Sequence, residues 1–63
     1  MLITGWKSGA NSLDAILQVS KHTEKTLSES KKLIEDALNG KIVKLEDDFV
    51  LREELENLKF IIE

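Results

Sequence analysis

The sequence predicts a small α+β domain with the element order β-α-α-β-α-β. Three observations predict it. Short apolar or β-branched stretches stand near both ends and in the middle, three amphipathic stretches lie between them, and turn or capping residues mark the junctions. Three short strands cannot bury two faces, so the expected architecture is a three-stranded antiparallel sheet with the helices packed on one face. Residues 1–63 read as one domain, because no linker, repeat or low-complexity segment divides them.

The first strand is expected at Leu2 to Trp6, where β-branched Ile3 and Thr4 precede the turn formers Lys7-Ser8-Gly9-Ala10-Asn11. Trp6, on a strand that is a candidate sheet edge, reads as a core anchor rather than an interaction hot spot. The first helix follows, capped by Asn11 or Ser12, with Leu13, Ile16, Leu17 and Val19 near a 3.6-residue period and an end at His22 or Thr23. Leu13, Ile16 and Val19 already supply a buried stripe, and Leu17, a fourth apolar residue, reads first as ordinary core filling and second as a widening of that stripe toward solvent.

Thr26-Leu27-Ser28-Glu29 matches a capping box, in which the hydroxyl and the carboxylate each accept from one orphan amide at the helix start. The second helix is expected to bury Leu27, Leu33, Ile34, Ala37 and Leu38 along one stripe and to turn Lys31 and Lys32 outward. Gly40 stands where a left-handed residue ends a helix. Lys41 to Leu45 reads as a half-buried strand. A third helix is then capped by Asp47 or Asp48 and carries Leu51, Leu55 and Leu58 at i, i+4 and i+7. Phe60-Ile61-Ile62, beginning near Lys59, closes the chain as the last strand.

Composition narrows the function classes. With 63 residues and no Cys, the chain depends on one compact core that hides only about 60% of the unfolded surface, which leaves little room for a deep enzyme cleft. The net charge of −3 has the wrong sign for neutralising phosphates, so nucleic acid is not an expected partner. No run approaches the roughly 18 apolar residues of a membrane span and nothing reads as a signal peptide, so no membrane role and a cytoplasmic location are expected.

The chemistry-bearing residues are sparse. His22 lies in a polar stretch near a helix end and reads as a surface histidine rather than a catalytic base. Glu46-Asp47-Asp48 lacks the alternation and central Gly of a calcium loop, so a charged helix start explains it. Gly5, Gly9 and Gly40 are scattered and cradle no phosphate. The expectation is a protein with no catalytic residues, no cofactor and no metal. Charge is nevertheless segregated: the excess of acid lies beyond residue 40, while Lys21, Lys25, Lys31 and Lys32 surround the junction of the first two helices.

Gly9-Ala10-Asn11, Val19-Ser20-Lys21-His22-Thr23 and Leu27-Ser28-Glu29-Ser30-Lys31-Lys32-Leu33-Ile34-Glu35 together resemble the C-terminal domain of the bacterial ribosomal stalk protein, ungapped over about residues 9 to 37. Residues 41–63 match only in element order and in an acidic start to the third helix. The resemblance implies the same β-α-α-β-α-β fold. It also implies recruitment of translational GTPases through a face made by the first two helices, carried here by Leu13, Ile16, Leu17, Leu27 and Lys31. The family's Gly-Leu-Gly between those helices is Glu24-Lys25-Thr26 here, and several basic positions are held by Ser12, Leu17, Ser20 and Ser28. The electrostatic half of that recognition is thus weakened while the apolar half is kept. The family's dimerisation segment and hinge have no counterpart in these residues, so a complete stalk protein is not expected. The architecture also resembles, at fold level alone, the adaptor of the Clp protease.

The expected function is that of a non-enzymatic protein-interaction module, a small regulator or inhibitor that binds a protein partner through the face of the first two helices. One alternative is an obligate homodimer or a fragment of a larger assembly, in which the same apolar face and an unpaired edge strand are consumed by self-association. The other is a translation-factor-binding domain like that of the stalk.

Overall fold

The computed structural model describes all 63 residues and has the predicted order. β1 (Leu2–Trp6) leads to α1 (Ser12–His22) and α2 (Leu27–Leu38), then β2 (Val43–Lys44), α3 (Phe49–Asn57) and β3 (Phe60–Ile62). The strands form one antiparallel sheet in the order β2-β1-β3. β1 is therefore the middle strand and not an edge, because both later strands return to it. β2 is shorter than the stretch Lys41 to Leu45 suggests: Val43 and Lys44 pair with Ile3 and Leu2, and Leu45 carries the ladder one step further by exchanging main-chain hydrogen bonds with Met1 at 2.9 and 2.8 Å.

Local chemistry sets the helix ends. The Asn11 side chain accepts from the Asp14 N–H at 3.1 Å and starts α1, and the Asp48 carboxylate accepts from the Leu51 N–H at 3.0 Å and starts α3. At α2 both halves of the capping box form: Glu29 N–H donates to the Thr26 hydroxyl at 3.1 Å, and Thr26 N–H donates to the Glu29 carboxylate at 2.9 Å. The far end of α2 is a Schellman turn. Gly40, at φ +87°, donates to Ala37 C=O and Lys41 donates to Asp36 C=O.

The core lies between one face of the sheet and the three helices. Ile3, Val43, Leu45, Phe60 and Ile62 meet Ala15 and Val19 of α1, Ile34 and Ala37 of α2, and Leu51 and Leu55 of α3. Leu51 and Leu55 are fully buried as their spacing predicts, and Leu58 packs against the cluster. The predicted stripe of α2 needs correction. Leu27 is exposed, Leu33 and Leu38 are half-buried, and Ser30 takes an interior position instead.

Trp6 also departs from expectation, since its side chain is 46% exposed. The direction of that side chain is set by a register slip in the middle strand. Ile3 faces Ile62, but Gly5 faces Ile61 and Trp6 faces Phe60, so Thr4 is an extra residue in β1. The slip inverts the alternation of side chains. Gly5 joins Ile61 on the open face, where a Cβ would stand 3.3 Å from Ile61 Cδ1, and Trp6 is turned toward the helices.

Candidate functional site

The hairpin of α1 and α2 is built from small buried side chains. Ala15 and Val19 point into the core from α1, and Ser30 and Ala37 accompany Ile34 from α2, which lets the two helices pack closely. Leu13 and Leu17 each precede one of those α1 residues by two positions and so point roughly the opposite way. They are 74% and 54% exposed. Leu13 is thus not part of the buried stripe that the 3.6-residue period assigns to it, and Leu17 does not fill the core; Ala15 and Val19 take the interior positions.

The corner between the helices is fixed by one side chain. Thr23 donates its N–H and its hydroxyl to Val19 C=O, at 3.0 and 2.6 Å, and its hydroxyl accepts from Lys25 N–H at 3.2 Å. Thr26 then caps α2, so Leu27 is presented in its first turn with 56% of its surface open. Lys31, one turn later, is exposed and has no carboxylate within ion-pairing distance. Of the five expected face residues, Leu13, Leu17, Leu27 and Lys31 stand on the surface of this hairpin. Ile16 is half-buried and packs against the core.

An open groove of about 910 Å³ runs from the α1–α2 corner to β2. Lys21, Lys25 and Lys44 line it together with Glu24, Glu29 and Glu46, so its charges balance and neither sign dominates. His22 also lines it, with Nδ1 3.9 Å from Oδ2 of Asp48, the carboxylate that caps α3. Glu29 is held below its ordinary carboxylate range, first by the Thr26 main-chain N–H, then by the Thr26 side chain, with Lys25 adding to both. Asp47 is lowered by its hydrogen bond to the terminal ammonium of Met1, at 2.6 Å, and by that group's charge. Asp47 and Asp48 therefore have separate partners.

The structure also exposes apolar residues that the sequence reading did not single out: Ile42 before β2, Phe49 and Val50 at the start of α3, and Ile61 on β3. Phe49 and Val50 had a usable signal, because they fall outside the i, i+4, i+7 register of the α3 leucines. No helix is long and apolar enough to cross a membrane. No family model, curated protein or solved structure matches this chain.

Proposed function

We propose that this domain is a non-enzymatic, cytoplasmic protein-interaction module, a small regulator or inhibitor, that binds a protein partner through the α1–α2 hairpin. The observation that carries the reading is the exposure of Leu13, Leu17 and Leu27 beside unpaired Lys31, while Ala15 and Val19 already fill the core side of α1. Fully burying one leucine side chain contributes roughly 1.5–3 kcal/mol, so three of them form an apolar centre for an interface. Lys31 adds orientation more than affinity. The balanced charges of the neighbouring groove favour a protein over a polyanion. The resemblance over residues 9 to 37 makes translational GTPases the first partner class to try.

The test is a binding titration of purified translational GTPases, alongside affinity capture from lysate, with wild type and Leu17→Glu compared in both. The expected result is a complex that Leu17→Glu abolishes without changing the melting temperature and that added salt weakens little. A complex that survives Leu17→Glu and Leu13→Glu places the contact elsewhere and refutes the reading.

A further inference from the structure

The outer edge of β3 carries unpaired main-chain groups in a self-complementary order. On one side of the strand, Leu2 and Glu63 exchange hydrogen bonds of 2.9 and 2.8 Å, and Lys7 N–H donates to Lys59 C=O at 2.8 Å. Main-chain groups alternate in an antiparallel ladder, so Phe60 and Ile62, opposite Trp6 and Ile3, turn their N–H and C=O away from β1. No turn, loop or cap main-chain bond reaches either residue. The strand is short, and no charge or proline lies within it.

We infer that β3 is a self-association edge, on which two copies of this chain pair their β3 strands antiparallel about a two-fold axis at Ile61. In that register Phe60 of each copy exchanges both main-chain hydrogen bonds with Ile62 of the other, which satisfies all the outward groups. Ile61, 41% exposed on the open face, meets Ile61 of the second copy at the closely spaced, non-hydrogen-bonded site. Lys59, at φ +73° with its side chain lying against Gly9, ends the strand, so the pairing is confined to Phe60, Ile61 and Ile62. The contact is isologous and closed, and it joins two three-stranded sheets into one continuous sheet. It uses none of the α1–α2 residues and stands or falls independently of the proposed partner face. Its small area makes it a weak, concentration-dependent dimer.

Sedimentation velocity from micromolar to millimolar protein, with amide hydrogen exchange at both extremes, tests it. The expected result is a monomer–dimer equilibrium in which the amides of Phe60 and Ile62 gain protection with concentration. Ile61→Lys is expected to remain monomeric throughout with an unchanged melting curve. Monomeric wild type at every concentration overturns the proposal, as does a dimer that Leu17→Glu dissociates and Ile61→Lys does not. The exchange measurement needs no variant, so a poorly folded mutant leaves the outcome decidable.

Discussion

The indole N–H of Trp6 donates to the main-chain carbonyl of Leu38 at 3.1 Å, tying the middle strand of the sheet to the last turn of α2. A helix leaves four carbonyls without internal partners at its C-terminus. Here Asn39 N–H serves Glu35, Lys41 serves Asp36 and Gly40 serves Ala37, so Trp6 supplies the partner for the fourth. The slip at Thr4 is what turns this side chain toward the helix end. Trp6→Phe keeps an aromatic ring and removes the donor. It is expected to destabilise the domain by about 1 kcal/mol, which a urea titration followed by circular dichroism measures.

That bond also marks where the sequence stopped being legible. The capping box, the leucine repeat of α3 and the stop at Gly40 involve residues within a few positions of each other, and local spacing determines them. The role of Trp6 depends on pairing with β3, more than fifty residues away, and on one extra residue in β1 that no alternation pattern displays. The face on α1 was half legible. Leu17 stood out as a fourth apolar residue beside the stripe but read first as core filling, and Leu13 was counted inward because a leucine outweighs Ala15 in any hydrophobic pattern. Close packing of α1 on α2 selects the smaller residue, and that requirement is set by the partner helix rather than by the period.

The capping box predicts a dependence on pH. The folded-state pKa of Glu29 lies below its ordinary value of 4.5, so its contribution is present above that value and is lost as pH falls through the folded pKa. Glu29→Gln is therefore expected to be less stable than wild type at neutral pH, with the two curves converging below pH 4.5. A gap that persists unchanged into acid would assign the effect to something other than the carboxylate charge. Thr26→Ala removes the other half of the box and should cost about 1 kcal/mol at neutral pH.

Gly40 gives a clean measure of backbone strain. It adopts φ +87°, and a Cβ there would meet nothing within 4 Å, so substitution introduces conformational cost without a clash. Gly40→Ala is expected to destabilise by about 1 kcal/mol and Gly40→Asn by less, since Asn tolerates the left-handed region. Equal losses for the two in thermal melts would show that something beyond φ is at work.

Ser30 and Ile34 lie one turn apart on α2 and are both fully buried, yet opposite outcomes are expected of them. Ile34→Ala opens a cavity in the core and should cost roughly 2–5 kcal/mol, a large share of what a domain this small possesses. The Ser30 hydroxyl is sealed from solvent and has no hydrogen-bond partner. Folding therefore strips it of water without compensation, and removing it relieves that cost while vacating very little volume. Ser30→Ala is expected to leave stability unchanged or to raise it by about 1 kcal/mol, as read from the denaturant midpoint at constant slope. A loss comparable to that of Ile34→Ala would mean that the hydroxyl holds a partner within the hairpin, and that the contact between α1 and α2 rests on more than the packing of small side chains.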